Sequence, residues 1–222
     1  MNLPSDRSAR KSVGADDWQD VHMTVLNVVC FGAKYMNMHG HVLNALGSGR
    51  IARSGRLRLD QWPDMPRPGM LDRPALITYV PAHGGCWPNV ATSGLGVKGA
   101  WASFEEFGSI GGSAVVLDAC KTATDKWLYD GGLLRAECQS LKGKPLLGGS
   151  LTGPPTGPGG AKILNALLDL LADVEDTAMS DEELLSLLRD VRHNAIMESP
   201  RNRSVRTAYA VRRVTDKPSE LW

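Results

Sequence analysis

Two reactive side chains each follow a short apolar run in this sequence. His83 comes three residues after the run at 75–80, and Cys120 comes three residues after the run at 114–117. If the two runs form neighbouring parallel strands, both side chains lie at the rim of the sheet where open α/β folds bind their ligands. An imidazole beside a thiol favours the thiolate, which is the nucleophile in thiol-dependent catalysis. The spacing therefore predicts a nucleophilic Cys120 with His83 as its partner.

The glycines that follow His83 fit the same chemistry. Gly84 and Gly85 carry no side chain, so a substrate backbone could approach them closely. The backbone N–H of Gly84 is a candidate donor to the oxyanion that forms when a nucleophile attacks a carbonyl group.

The elements that must position these residues are predicted from apolar periodicity. Continuous apolar strands separated by helical or irregular stretches indicate an α/β fold with a mostly parallel sheet covered on both faces. Strands are predicted at 25–31, 75–80, 114–117, from Leu146 onward, and at 204–214. Helices are predicted at 38–47, 101–107 and 161–172, and after Ser180, where Ser-Asp-Glu-Glu forms a capping box. A surface connection at 48–74, a loop at 81–87 and a flexible loop at 148–160 complete the prediction.

The two blocks around His83 and Cys120 resemble the caspase-like cysteine peptidases, the group of caspases, metacaspases and CHAT-domain proteases. In that group one apolar strand ends in His-Gly and a second ends in Asp-x-Cys or Ala-Cys. Here the blocks read LITYVPAHGG at 76–85 and AVVLDACKTA at 114–123. The opening strand and the two late helices are also similar, so the resemblance spans about residues 23–210, with its specific motifs confined to the two blocks.

The resemblance implies a fold, an activity and a set of site residues. It implies a caspase-like three-layer sandwich, with a mostly parallel central sheet and helices on both faces. It identifies His83 as the base and Cys120 as the nucleophile of a cysteine endopeptidase, with the backbone N–H groups of Gly84 and Cys120 as oxyanion donors. Asp118 would bind a basic side chain before the cleaved bond, so cleavage after Arg or Lys is expected.

The same resemblance implies what the protein works with. Its substrate would be a protein or peptide, no cofactor is expected, and a separately encoded protein could regulate it.

Other interpretations of these residues remain open. Asp118 could cap the turn after its strand, since Asp readily accepts backbone hydrogen bonds there. Cys86, three residues after His83, could join His83 and Cys120 in a metal site, although the irregular spacing disfavours zinc. Cys30 is interpreted as a core residue, and Cys138 as structural or incidental. The alternative functions are an inactive caspase-like binding or regulatory module, and a small-molecule thiol hydrolase on a flavodoxin-like sheet.

Composition limits the remaining classes of protein. The 222 residues suit one domain at 21–222, which the resemblance implies is a caspase-like peptidase domain, preceded by a flexible N-terminal arm at 1–20. With 25 Lys and Arg against 24 Asp and Glu, the net charge of +1 argues against nucleic-acid binding, and the Arg-rich tail is interpreted as a solvated face. There is no apolar run of about 18 residues and no apolar secretory core near the N-terminus. A cytoplasmic location with reduced cysteines and no membrane partner is therefore expected.

Overall fold

A six-stranded, mostly parallel β-sheet lies at the centre of the described part of the chain. The computed structural model describes residues 24–31, 46, 56–62, 69, 71–86, 93–97, 100–103, 108–149, 162–174, 178–197 and 209–218. The strands of this sheet are β1 (Leu26–Phe31), β2 (Leu57–Trp62), β3 (Ile77–Pro81), β7 (Ala114–Asp118), β10 (Pro145–Gly149) and β11 (Tyr209–Arg213). Their order across the sheet is β11-β10-β7-β3-β1-β2. Only the pairing of β10 with β11 is antiparallel within this sheet.

The apolar character of the central strands explains their position in the sheet. All five residues of β3 are buried, as are the first four of β7. Strands that are apolar on both faces are stable only when both faces are covered, which is typical of parallel sheets in α/β proteins. The predicted α/β fold with a mostly parallel sheet is therefore confirmed.

Long helices cover one face of the sheet. They are α2 (Lys162–Leu171) and α3 (Asp181–Met197), whose leucines pack with sheet residues that include Tyr79 and Val116. The capping box predicted at the start of α3 is present, because the Ser180 N–H donates to the Glu183 carboxylate over 2.7 Å. The two helices predicted from periodicity are thus confirmed.

Shorter elements cover the opposite face. Trp127 and Leu128 come from α1 (Asp125–Leu128), and Cys138 and Leu141 come from a 3-10 helix (Ala136–Leu141). Leu95 joins the same apolar cluster from β5 (Ser93–Val97), which lies between β4 (His83–Cys86) and β6 (Ala100–Ser103) in a small antiparallel sheet. A hairpin of β8 (Tyr129–Asp130) and β9 (Leu133–Leu134) completes the described strands.

Four predictions of irregular or helical structure are wrong where the structure describes the chain. Strand β2 lies inside the connection predicted at 48–74, and its alternation of Leu57 and Leu59 with charged residues is typical of an edge strand. Strand β4 replaces the loop predicted at 81–87, and β6 replaces the start of the helix predicted at 101–107. Gly148 and Gly149 belong to β10 instead of the flexible loop. In each case the pairing with another strand, which the apolar periodicity of the segment does not record, decided the conformation.

Other predictions fall mostly or wholly outside the described residues. Of the helix predicted at 38–47, only Leu46 is described, and it is helical and buried. The N-terminal arm at 1–20 and the loop from 150 to 160 also lie outside this set. Within the described ranges, no helix has the length and apolar character that crossing a bilayer requires.

Candidate active site

The strands that precede His83 and Cys120 are neighbours in the sheet. Strands β3 and β7 pair in parallel, with Pro81 opposite Asp118 at their carboxyl ends. The Ala82 N–H extends this pairing by donating to the Asp118 carbonyl oxygen over 3.2 Å. His83 and Cys120 therefore each follow this last pair by two residues, and their backbones leave the sheet at the same rim. The structure brings the two chain segments together, while the side chain of His83 lies outside its described part.

Gly84 follows at the same rim. It lies opposite Leu95 in the antiparallel pair of β4 and β5. In such a ladder, N–H groups point alternately toward and away from the partner strand. The role of the Gly84 N–H as an oxyanion donor stays a prediction.

The thiol of Cys120 differs from the other thiols that the structure describes. Cys120 is partly exposed, whereas Cys30 and Cys138 are buried. Burial raises the pKa of the Cys30 thiol to about 12, so this thiol stays protonated and unreactive at neutral pH. The Cys138 thiol donates to the Trp127 carbonyl oxygen over 3.6 Å. The interpretation of Cys30 as a core residue is confirmed, and of the two alternatives for Cys138 its burial favours a structural one. Cys120 is the one of these three residues that is partly exposed.

Asp118 presents its carboxylate at the same rim, held by two tyrosines. The Tyr79 hydroxyl donates to Oδ2 and the Tyr209 hydroxyl donates to Oδ1, each over 2.7 Å. Burial and the adjacent Asp118 charge raise the pKa of both tyrosines, because both effects disfavour a phenolate. The phenols therefore remain neutral donors, and they fix the plane of a half-buried carboxylate. Neither tyrosine is among the site residues that the sequence predicts.

Tyr209 also connects the carboxylate to the thiol. Besides burial and Asp118, the charge of a Cys120 thiolate contributes to raising the pKa of the Tyr209 hydroxyl. Tyr209 is the first residue of β11, which is separated from β7 by β10 in the sheet. Asp118 and Cys120 thus share an electrostatic neighbour from a distant part of the sequence. In the sequence, Tyr79 is one of two hydroxyl-bearing residues, with Thr78, in a mostly apolar strand.

Strand β11 makes a second contact with the segment that follows Cys120. Arg212, only 8% exposed, donates to the Ala123 carbonyl oxygen over 3.1 Å and to Asp125 Oδ1 over 2.9 Å. Its guanidinium carbon also lies 5.7 Å from the centre of the Tyr129 ring, a favourable cation–π distance. The prediction that the Arg-rich tail is a solvated face is therefore wrong for Arg212, whose charge is neutralised within the fold. Arg201, Arg203 and Arg206 lie outside the described residues.

A metal site among these residues was an alternative interpretation. Among the side chains that the structure describes, no group of three or more His, Cys, Asp and Glu could hold a metal ion. Of the three ligands considered, His83 and Cys86 have side chains outside that set, so the alternative at these positions stays open.

The chain matches no protein-family model, and a search of the curated proteins finds no match either. The functional interpretation of the site consequently depends on its residues and their geometry.

Proposed function

We propose that this protein is a cysteine endopeptidase of the caspase-like type, with a His83–Cys120 dyad that cleaves after Arg or Lys. The observation that carries the proposal is the parallel, in-register pairing of β3 with β7 up to Pro81 and Asp118. This pairing is the condition under which the two motifs contribute to one rim. The partial exposure of Cys120 supports its assignment as the nucleophile, since a nucleophile must be accessible to its substrate.

The proposed reaction proceeds through an acyl-enzyme. His83 accepts the proton of the Cys120 thiol, and the thiolate attacks the carbonyl carbon of the scissile peptide bond. The backbone N–H groups of Gly84 and Cys120 stabilise the resulting oxyanion. Protonated His83 then donates its proton to the leaving amine as the C–N bond breaks, which leaves a thioester. Water, losing a proton to His83, attacks the thioester; the carboxylic acid departs, and the proton returns to the Cys120 sulfur.

The carboxylate of Asp118 supports a preference for basic side chains. It is half-buried at the rim, and hydrogen bonds from Tyr79 and Tyr209 fix its orientation. A carboxylate with a fixed plane is complementary to the planar guanidinium of Arg, which forms two parallel charge-assisted hydrogen bonds. The ammonium group of Lys is a point charge without this planar geometry, so we expect Arg to be preferred over Lys.

The experiment is a series of short fluorogenic peptides ending in Arg, Lys, Asp or Leu before the leaving group. We expect turnover after Arg and Lys, and a loss of at least about 1,000-fold in kcat/KM in both Cys120→Ala and His83→Ala, because each removes an essential group. Cys138→Ala is the matched control, since it removes a thiol that is buried in an apolar cluster of the core, and it should retain turnover. Turnover that is unchanged in Cys120→Ala would contradict the proposal.

The second candidate function is a small-molecule thiol hydrolase, and the strand order agrees with the flavodoxin-like sheet expected for it. The five parallel strands follow the order β2-β1-β3-β7-β10, which corresponds to the doubly wound order 2-1-3-4-5 of flavodoxin-like proteins. Such an enzyme would hydrolyse small acyl esters through Cys120 and would not be labelled by a peptidyl electrophile with an Arg side chain. A folded protein inactive on both substrate classes would indicate the binding or regulatory module.

A further inference from the structure

The turn that carries Cys120 contains a strained residue. Ala119, the residue before Cys120, is fully buried, and Lys121, the residue after it, has φ of 58°. A residue with a β-carbon is rarely found in this left-handed region, because the β-carbon crowds the backbone. Strained backbone of this kind persists where surrounding contacts hold it, and it is often found at functional sites.

The hydroxyl of Thr122 makes the contacts that hold this turn. Thr122 is 0% exposed, and its Oγ1 lies 3.1 Å from the Leu117 carbonyl oxygen and 3.0 Å from that of Ala119. The same oxygen accepts a hydrogen bond from the Gly149 N–H over 2.9 Å. One hydroxyl therefore joins the end of β7, the residue before Cys120 and the end of β10.

Two glycines at the end of β10 let the turn pack against the strand. The Gly149 N–H also lies 3.1 Å from the Ala119 carbonyl oxygen, and the Gly149 carbonyl accepts from the Ala123 N–H over 2.9 Å. A β-carbon on Gly149 would lie 2.1 Å from the Ala119 carbonyl oxygen and 3.2 Å from Cys120 Cα. One on Gly148 would lie 2.6 Å from Thr122 Oγ1. The backbone that carries Cys120 thus rests directly on β10, without an intervening side chain.

We propose that Thr122 is a positioning residue, whose buried hydroxyl fixes the backbone of Cys120 and thereby the location of its thiol at the rim. Thr122 is closed to solvent, so its effect on the reaction passes through Cys120 and not through the substrate. Small displacements of a reacting group lower the rate strongly, because the attack geometry is demanding. The catalytic part of this inference rests on the proposed function, whereas the effect on the Cys120 thiol does not.

The experiment compares Thr122→Val, which keeps the shape but removes the hydroxyl, with Thr122→Ser, which keeps the hydroxyl. The first readout is the rate of Cys120 alkylation by iodoacetamide as a function of pH, measured on the Cys120 peptide by mass spectrometry. The second is the separate kcat and KM for an Arg peptide. For Thr122→Val we expect an altered pH profile of alkylation and a fall in kcat of about tenfold or more with KM within about twofold. Thr122→Ser should restore both readouts.

The control for a purely structural role is Leu188→Ala, a buried position in α3 outside this turn. Thr122→Val and Leu188→Ala are both measured under conditions in which each variant is fully folded. If the alkylation profile of Thr122→Val matches those of the wild type and Leu188→Ala, the positioning role is wrong. If Thr122→Val does not fold alone, it is combined with Lys121→Gly, which removes the left-handed strain, and the same altered profile is expected relative to Lys121→Gly.

The inference and the proposed function can fail separately. An altered alkylation profile in a protein that cleaves no peptide would support the positioning role of Thr122 and contradict the peptidase. Turnover of the Arg peptide with an unaltered profile in Thr122→Val would support the peptidase and contradict the positioning role.

Discussion

The half-buried carboxylate of Asp118 accepts hydrogen bonds from two phenols. A carboxylate that leaves water loses hydration, and the two tyrosine hydroxyls replace part of it here. A phenol donates a hydrogen bond without adding a positive charge, whereas a lysine or arginine at the same position would add one. The proposed specificity requires that this carboxylate bind a basic side chain of the substrate.

Replacing Tyr209 by Phe tests this arrangement at the level of one atom. The variant loses the donor to Asp118 Oδ1. We expect its free energy of unfolding to be lower by about 1–2 kcal/mol, because a hydrogen bond to a charged group contributes more to stability than one between neutral groups. We also expect kcat/KM for Arg peptides to fall more than for Lys peptides, since the plane of the carboxylate is less constrained. Urea unfolding measures the change in stability, and peptide kinetics measure kcat/KM for the Arg and Lys peptides.

Tyr129→Phe is the matched control for Tyr209→Phe. It also removes one phenolic hydrogen bond, in this case a 3.1 Å bond to the Thr215 carbonyl oxygen. It should leave the Arg-to-Lys ratio unchanged. An equal change of that ratio in both variants would contradict the role of Tyr209 in orienting Asp118.

Among the elements, the two strands beyond β7 define the site as much as β3 and β7 do. Strand β10 supports the turn of Cys120 through its two terminal glycines, and β11 contributes Tyr209 and Arg212. Both strands come later in the chain than either predicted catalytic motif. The site is therefore assembled by parts of the chain that carry no recognisable motif of their own.

Gly149→Ala tests the support that β10 gives. The new β-carbon would lie 2.1 Å from a backbone oxygen that cannot rotate away, so the turn or the strand must move. We expect a loss of stability of about 3 kcal/mol, at the upper end of the usual cost of overpacking, together with slower alkylation of Cys120. Urea unfolding and mass spectrometry measure the two effects.

Gly143→Ala serves as the comparison for Gly149→Ala. Gly143 has φ of 81°, and a β-carbon at this position would have no neighbouring atom within 4 Å, so the substitution introduces backbone strain without a clash. Its expected cost is about 1 kcal/mol, and Cys120 alkylation should be unaffected. A similar loss of stability in the two variants would indicate that the contact between β10 and the turn is dispensable.

For the whole molecule, the buried acidic groups predict sensitivity to alkali. Burial raises the pKa of Cys30 from 9.0 to about 12, and the pKa values of Tyr79 and Tyr209 are shifted in the same direction. Above about pH 9 the unfolded chain releases the Cys30 proton while the folded chain retains it, so the free energy of unfolding falls as pH rises. Below the unfolded pKa both states hold the proton, and this contribution to stability is fully present.

Cys30→Ala isolates one part of this pH dependence. Between about pH 9 and 10, wild-type stability should fall more steeply than that of the variant, by up to about 1.4 kcal/mol per pH unit as the unfolded thiol ionises. Urea unfolding at a series of pH values gives the slope of the free energy of unfolding against pH for each protein. The stability lost through the smaller side chain is the same at every pH, so it does not affect the comparison of the slopes. Parallel slopes would contradict the assignment of Cys30 as a buried thiol with a raised pKa.

Much of the sheet could be predicted because its strands are locally distinctive. The runs that form β1, β3 and β7 are mostly apolar on both faces, a pattern typical of buried parallel strands. The capping box is likewise predictable from the sequence, since its partners, Ser180 and Glu183, are three residues apart. By contrast, β2 and β4 were missed, because an edge strand and a glycine-rich strand are defined by what they pair with.

The sequence by itself determined which segments are apolar enough to require burial and that an imidazole and a thiol each follow such a segment, because hydrophobicity is a property of the residues of the segment itself. Only the tertiary structure decided that β3 and β7 are adjacent, that Tyr209 reaches Asp118 across 91 positions of sequence, and that Thr122 is bonded to Gly149. These contacts depend on strand order, which is chosen by the packing of all elements together. A hydroxyl can bond to any acceptor within reach, so its partner is known only once the chain is folded.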